Sequence, residues 1–286
     1  MKAAVIGTFD GVHRGHIHLL NELKRHAAAR GLQPLALTFD RHPLSLVDPS
    51  GVPEPLSSPD ERVNLIRAQG VECEILPFTP QLRQMTATGF LAMLRQNYGV
   101  NLFIFGFNNR IGSDRIDATS ALIPEIEAAT GVSILCATAL QGANVSPSAI
   151  RRALADGDVK GAAEMLGRPY SISGEVVAGR RLGRTIGFPT ANVSLQRTRV
   201  LPAPGVYAGQ TLGHKAVINI GRCPTVTGCN DAPLTIEVHI IGFSGDIYGH
   251  ILNVEFLRRL RTEKRFASLD ELKEAIAADV ARASHL

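Results

Sequence analysis

The sequence predicts two domains of different fold class, an N-terminal α/β domain over residues 1–166 and a C-terminal antiparallel β-barrel with a final helix over residues 167–286. Apolar strand-like segments alternate with helical periodicity through residue 136, which is typical of a parallel sheet with helices on both faces. From Ile172 onward, β-rich segments separated by glycine and proline replace that alternation. The change of pattern places the boundary near Gly167–Tyr170.

The N-terminal elements are predicted from short apolar runs and one clear helix start. Ser58-Pro59-Asp60-Glu61 reads as a capping box with proline at the first helical position. In an open parallel sheet, ligands bind at the C-terminal ends of the strands. The predicted strands are Lys2–Ile6, Gln33–Phe39, Glu72–Leu76, Leu102–Phe105 and Ser133–Cys136, followed by short helices near Pro147–Ala155 and Val159–Leu166.

The barrel is predicted from β-favouring segments and ends in an amphipathic helix. The helix runs from Leu269 to about Ala283, with Ser268 as its cap and two acidic residues in its first turn. The predicted strands are Ile172–Val177, Gly205–Leu212, Lys215–Ile220, Leu234–Ile241 and Ile247–Phe256.

The loop after the first strand combines glycines with two histidines at the start of a helix. Gly7, Gly11 and Gly15 let a ligand approach the backbone closely, and the first N–H groups of a helix attract anions. His13 and His16 are three residues apart, so both imidazoles lie on one face of the first turn and can donate to phosphate oxygens. We therefore predict a phosphate site here. Metal binding by the pair, or a structural role for one histidine, is the alternative.

Composition and charge narrow the classes of partner. No apolar run reaches the length of a membrane span and Met1 leads directly into a strand, so we expect a cytoplasmic protein without a membrane partner. The four cysteines are scattered, which favours reduced thiols. The net charge is +4; residues 1–160 hold 15 basic and 15 acidic side chains, and residues 161–286 hold 15 and 11. This excess suits a nucleotide or flavin phosphate, and without a dense basic run or an aromatic stripe we expect no nucleic-acid partner.

A second group of polar residues lies in the segment from Gly183 to Asn192. Gly183 and Gly187 permit close backbone approach, and Pro189 keeps the chain extended. Alternate residues of an extended segment share a face, so Thr190 and Asn192 present two neutral oxygens in one direction. Such oxygens suit Mg²⁺ with bound nucleotide phosphates. From these residues alone, a surface turn with incidental polar side chains is the better-supported alternative.

The segment Leu234–Ile241 alternates apolar and polar side chains, as a half-buried strand does. Its apolar residues form a core face, which leaves Glu237 on the other face. A carboxylate on a rigid strand is well placed to act as a general base. A solvated strand glutamate is the alternative.

Family resemblance joins these motifs. The first loop resembles the HxGH signature of the nucleotidyltransferase superfamily, whose Rossmann-like domains bind ATP. The whole chain resembles the bacterial bifunctional riboflavin kinase/FMN adenylyltransferase (FAD synthetase) family. The motifs that carry this resemblance are GFPTAN at 187–192, IEVHI at 236–240, DIYG at 246–249, LRTEKRF at 260–266, VSPSAIR at 145–151 and GFN at 106–108.

The resemblance implies two activities. The C-terminal domain would phosphorylate riboflavin to FMN with Mg-ATP, with Glu237 as catalytic base, Thr190 and Asn192 at the Mg²⁺ ion, and Arg261 on the nucleotide or flavin side. The N-terminal domain would adenylylate FMN to FAD and release pyrophosphate. The residues implied in catalysis there are His13, His16 and Arg151, and the other implied ligand-binding positions of that domain are Gly7, Phe9, Asp10, Gly11, Gly15, Asn108, Ser146 and Ser148. In the C-terminal domain, Gly183 and Gly187 are further implied ligand-binding positions.

Three N-terminal positions depart from the family pattern: Arg41 replaces a usual proline, Asn109 replaces a usual phenylalanine, and Pro147 interrupts the SSTxIR-like motif. We therefore expect an adenylyltransferase that works more slowly than the kinase. The alternatives are adenylylation of another phosphate ester, a kinase whose N-terminal domain has decayed into a flavin-binding or regulatory module, and, as a minor third, a barrel that binds nucleic acid. The expected partners are riboflavin, FMN and ATP, with weak homo-oligomerisation left open.

Overall fold

The computed structural model describes residues 1–106, 109–140, 142, 145–179, 183, 186–195, 198–222 and 234–286. The chain divides into two compact units, Met1–Pro147 and Ser148–Leu286. Within the described ranges, no helix has both the length and the apolar character needed to cross a bilayer.

The first unit is built on a five-stranded parallel sheet. The strand order is β3-β2-β1-β4-β5, so the order reverses between β1 and β4. Such a reversal opens a crevice at the C-terminal ends of the two central strands, which is where open α/β sheets bind ligands. The strands are β1 (Lys2–Ile6), β2 (Gln33–Phe39), β3 (Glu72–Leu76), β4 (Val100–Phe105) and β5 (Ser133–Cys136).

Helices cover both faces of this sheet, as predicted. The helices are α1 (Arg14–Ala28), α2 (Pro59–Arg67), α3 (Pro80–Gln84), α4 (Ala87–Tyr98) and α5 (Ile123–Thr130), with 3₁₀ turns at Pro43–Leu46 and Pro49–Gly51. One core cluster packs α1 and α2 against one face, and a second packs α4 and α5 against the other. The predicted capping box is present at the start of α2, where Ser58 and Glu61 each accept a backbone N–H from the other.

The second unit is a closed antiparallel barrel with the strand order β10-β7-β6-β11-β8-β9. Tyr207 and Phe256 are fully buried in it, with their rings edge to face at 5.5 Å. The elements from residue 147 onward are α6 (Pro147–Ala155), α7 (Val159–Leu166), β6 (Tyr170–Val177), β7 (Ala191–Ser194), β8 (Gly205–Thr211), β9 (His214–Arg222), β10 (Leu234–Ile240), β11 (Ile251–Arg261) and α8 (Leu269–Ser284).

The helix pair α6–α7 packs on the barrel. Leu154 and Leu166 are buried, and the turn between the helices is fixed by Arg259, which donates to the carbonyl of Asp156 at 3.1 Å. Gly157 in that turn has φ +76°, and a Cβ there would lie 2.6 Å from Nη1 of Arg259. The two helices are therefore structural parts of the second unit. The functional boundary at 166/167 stays a prediction.

The predicted and observed elements differ most at β11 and β7, and β11 also runs to Arg261, beyond its predicted end at Phe256. A strand is predicted from Ile247, but β11 begins at Ile251, because Ile247–His250 form a turn in which Gly249 has φ +76°. For residues 191–194 the sequence predicts only an extended segment, whereas the structure has the short strand β7, which completes the barrel between β6 and β10.

Candidate active sites

The loop after β1 has an unusual backbone. Phe9 and Val12 have φ of +46° and +40°, in the left-handed region that non-glycine residues rarely adopt. The ring of Phe9 is fully buried, and the N–H of Val12 donates to the carbonyl of Phe9 at 2.9 Å. Such conformations persist only where the surroundings hold them, and they cluster at functional sites.

A buried polar network holds this loop. Oδ1 of Asp10 accepts the backbone N–H groups of Leu56 and Ser57 at 2.9 and 3.1 Å, and the N–H of Gly11 donates to Oγ of Ser57 at 2.9 Å. Asp10 is only 6% exposed. Its carboxylate therefore ties the loop to the segment before α2, and the ligand-binding role implied for it stays a prediction.

Arg62 on α2 is the second anchor, and sequence reasoning missed it. Its guanidinium donates to the carbonyl of Thr8 at 2.6 Å and to that of Phe39 at 2.9 Å, so it ties the loop after β1 to the end of β2. Burial lowers the pKa of Arg62, and the charge of Asp10 opposes that shift.

His13 and His16 form a stacked pair at the start of α1. His13 is the N-cap, and its Nδ1 accepts the backbone N–H of His16 at 3.3 Å, which leaves Nε2 to carry the proton. The two rings are 3.7 Å apart and nearly parallel. Burial, and then the charge of His13, hold the pKa of His16 well below the usual 6.5. The His16 ring is therefore neutral near pH 7 and can offer a phosphate a neutral N–H. Gly15 leaves the room beside this pair, since a Cβ there would lie 3.1 Å from the ring of His13.

A cavity of about 390 Å³ opens at the C-terminal ends of β1 and β2, beside the segment that follows β4. Its lining includes Gly7 and Thr8, three phenylalanines, Asn109, and two arginines at 83 and 110. Nδ2 of Asn109 donates to the carbonyl of Ile6 at 2.8 Å, which fixes the end of β1. An apolar cavity with a few polar groups suits a flat aromatic ligand.

The remaining candidate residues for adenylylation lie later in the sequence than the loop after β1. Ser146 lies at the end of the first unit, whereas Ser148 and Arg151 lie on α6 in the second. Asn108 lies outside the described residues. The roles implied for these four residues stay predictions.

The barrel brings together the two C-terminal motifs. Glu237 on β10 is directly opposite Asn192 on β7. Two residues along β10, Nδ1 of His239 lies 2.8 Å from the carbonyl of Pro189, and its ring contacts that of Phe188 at 5.5 Å. The carboxylate predicted as a base therefore lies in the same cross-strand row as one predicted metal ligand.

The segment that leads into β7 folds back on itself. The N–H of Phe188 donates to the carbonyl of Gly183 at 2.8 Å, and a Cβ at Gly183 would lie 2.3 Å from the carbonyl oxygen of Phe188. Gly187 has φ +89°, which favours glycine. Thr190 lines a cavity of about 600 Å³ together with Phe243 and residues 244–248.

The side chain of Arg261 forms an ion pair with the C-terminal helix. Its Nη2 lies 2.8 Å from Oδ2 of Asp279, a carboxylate that is 1% exposed, and Arg282 contacts the other oxygen at 2.5 Å. The guanidinium also lies 5.6 Å from the ring of Phe266. Arg261 therefore anchors α8 at the end of β11, and its role toward a ligand stays a prediction.

The fold and the two sites define a two-domain transferase. The FAD synthetase family model matches residues 1–149, and the riboflavin kinase (flavokinase) family model matches residues 166–286. The chain is 38% identical to the bifunctional riboflavin kinase/FMN adenylyltransferase of Escherichia coli K12, over 96% of this chain and 89% of that protein. It is also 38% identical to the same-named protein of Pseudomonas fluorescens, over 99% and 92%.

A solved structure of similar fold comes from Streptococcus pneumoniae, where the protein is named as a macrolide-efflux protein. It has a TM-score of 0.87 and 29% identity over 100% of this chain and 94% of that one. The chain belongs to the bifunctional riboflavin kinase/FMN adenylyltransferase family, and it carries both an FAD synthetase domain and a riboflavin kinase domain.

Proposed function

We propose that the barrel unit phosphorylates riboflavin to FMN, that the α/β unit adenylylates FMN to FAD, and that ATP is the donor in both reactions. The observation that carries the kinase half is the register of β7, β10 and β9, which places Glu237 directly opposite Asn192. The adenylylation half is supported by the strained loop and by the stacked histidine pair at the start of α1, in which the pKa of His16 is held low.

In the kinase reaction, the 5′-hydroxyl oxygen of riboflavin attacks the γ-phosphorus of ATP and ADP leaves. An alcohol is a poor nucleophile at neutral pH, so its proton must pass to a positioned base, and Glu237 takes it. The contact of His239 with the carbonyl of Pro189 keeps the GFPTAN segment beside that base.

The donor set of the kinase site fits Mg²⁺ bound together with nucleotide phosphates. Thr190 and Asn192 supply neutral oxygens, which leaves the remaining positions of an octahedral ion to phosphates and water. Among the described residues, no three His, Cys, Asp or Glu side chains form a metal-binding group. Thr190 and Asn192 would hold the ion, which would neutralise charge on the transferring phosphate.

Adenylylation needs no protein base. A phosphate oxygen of FMN, already anionic, attacks the α-phosphorus of ATP, and pyrophosphate leaves. The protein's task is to position the reactants and to stabilise charge. His13 and His16 donate N–H groups beside the N-terminus of α1, and Ser146, Ser148 and Arg151 supply further phosphate contacts.

The flavin of FMN is assigned to the cavity at the C-terminal ends of β1 and β2, because its phenylalanines at 39, 78 and 90 suit a flat ring. We further propose a cytoplasmic enzyme whose partners are small molecules only, with at most weak self-association. The concentration of the excess positive charge in residues 161–286, without a dense basic run, supports this assignment.

A time course with riboflavin and Mg-ATP tests both halves at once, with FMN and FAD resolved by chromatography. We expect FMN to accumulate first and FAD to follow, because the departures at Arg41, Asn109 and Pro147 lie in the adenylylation half. FMN as the final product would favour a decayed N-terminal module. If neither product forms, the proposal is wrong.

A further inference from the structure

We propose that Asn219 on β9 binds the hydroxyl-bearing side chain of the acceptor beside Glu237. The assignment rests on the proposed phosphorylation of riboflavin. The ligand that Asn219 would bind belongs to the class of polyhydroxylated chains attached to a planar ring.

The barrel register places Asn219 next to the predicted base. Asn219 is directly opposite Glu237 across β9 and β10, just as Asn192 is opposite it across β7 and β10. Opposed residues of antiparallel strands share a face, with Cβ atoms about 4.5–5.5 Å apart. Ile218 and Ile220 are fully buried, so Asn219 between them faces outward, as the half-buried Glu237 does. An amide therefore flanks Glu237 on each side.

The amide of Asn219 points along the strand toward Gly221. A Cβ at Gly221 would lie 3.3 Å from Nδ2 of Asn219 and 2.0 Å from Oε1 of Glu263, which follows β11. The two polar groups thus converge over the bare backbone of Gly221. Together with Glu237 they form a polar row, defined here as Glu237, Asn219 and Glu263, on the outer face of the barrel.

A buried apolar contact with the C-terminal helix lies next to the polar row. Val217, two residues before Asn219 and on the same face of β9, packs with Val280 and Ala283 of α8. The polar row therefore begins where the C-terminal helix stops covering the strand. The polar row beside this edge matches a chain of hydroxyls.

The chemistry assigns different tasks to the two amides. Asn192 lies beside Thr190 in the GFPTAN segment and serves the phosphate side of the reaction. Asn219 lies on the opposite side of Glu237 and binds the acceptor. Because an amide both donates and accepts, it can bind a hydroxyl of the acceptor and hold the terminal hydroxyl toward the Glu237 carboxylate.

A matched pair of variants tests this role in the full-length chain. Asn219→Val and Asn219→Thr have the same β-branched shape and suit a strand, but only threonine can hydrogen-bond. In FMN-formation assays we expect the valine variant to raise the KM for riboflavin by roughly three- to tenfold, the size of one neutral hydrogen bond, with the threonine variant in between. The KM for ATP should stay unchanged. Asn253→Val on β11, where the amide donates to Ser173, is the control and should keep both constants.

Equal riboflavin KM values in the valine and threonine variants would overturn the proposal, as would a rise in the KM for ATP instead. If the wild-type chain makes no FMN, that result contradicts the proposed function rather than the role assigned to Asn219. FAD formation from supplied FMN reports on folding of the rest of the chain. If the valine variant does not fold, a wild-type riboflavin KM in a folded Asn219→Ala variant would equally contradict the proposal.

Discussion

The two units hold their candidate sites by different means. In the first unit the candidate site lies on a loop whose backbone is strained at Phe9 and Val12 and is held by two buried side chains, Asp10 of the loop itself and Arg62 of α2. In the second unit the candidate site lies on a regular cross-strand row, where the β-ladder register sets Asn192, Glu237 and Asn219 side by side and His239 adds a contact to Pro189. A loop site depends on remote anchors, whereas a strand site depends on register.

Glu237→Gln should produce the largest separation of the two activities. Losing a catalytic base costs two to four orders of magnitude, so FMN formation should fall by roughly one hundredfold or more while FAD formation from supplied FMN persists. Rates of both products from separately supplied substrates check this. Glu255→Gln, the same exchange on β11, is the control. An equal loss of both activities would point to misfolding instead.

His16→Ala should give the reverse pattern. Removing one preorganised donor to developing charge costs about two orders of magnitude, so FAD synthesis should fall by roughly that amount while riboflavin phosphorylation continues. His26→Ala, further along α1, controls for helix effects. Unchanged FAD synthesis would exclude the histidine pair from the site.

Arg62→Leu tests the dependence of the loop on its remote anchor. The change leaves the carbonyls of Thr8 and Phe39 without their buried donor, so the first unit should lose about 2–4 kcal/mol of stability. FAD synthesis should fall by about tenfold because the loop is no longer fixed, although Arg62 is not itself assigned to a ligand. Urea unfolding and both activity assays measure this. Arg67→Leu on the same helix is the matched control, and FAD synthesis that stays at the wild-type rate in a destabilised Arg62→Leu protein would contradict the anchoring argument.

Two fragments of the second unit should show the smallest effect, a difference in the free energy of unfolding. A fragment from Gly167 lacks α6 and α7, whereas one from Val145 keeps them. Both should phosphorylate riboflavin, but the shorter one should be about 2–4 kcal/mol less stable, because it loses the burial of Leu154 and Leu166 and the acceptor of Arg259. Urea unfolding of both fragments decides it. Equal stability would show that the helix pair is not part of the barrel's fold.

Sequence alone predicted most elements because local patterns specify them. β1 is a short apolar run that ends at glycine, and its predicted bounds match the structure. The predicted start of β11 was wrong because the apolar residue Ile247 precedes a turn that depends on the left-handed backbone of Gly249. The pattern of apolar residues does not show at which residue a strand begins to form hydrogen bonds with the neighbouring strand.

The candidate sites were predictable only where side-chain type carries the chemistry. His13, His16 and Glu237 were found because imidazoles and carboxylates in those contexts suggest phosphate binding and catalysis. Arg62 was missed because it acts on the backbone of a residue 54 positions away, for which a sequence offers no signal. Asn219 could have been suspected from its polar place between two isoleucines, but only the register shows which residue it faces.

The period of a β-strand gives the cross-strand row one more consequence. If β10 paired with its neighbours one residue out of step, Glu237 would turn into the barrel and Val238 would turn out. No intermediate alignment keeps the carboxylate beside Asn192. The rate of riboflavin phosphorylation therefore reports how many molecules have the native strand register. A preparation that mixes the two registers should contain fewer active molecules, and each of these should bind its substrates with normal affinity.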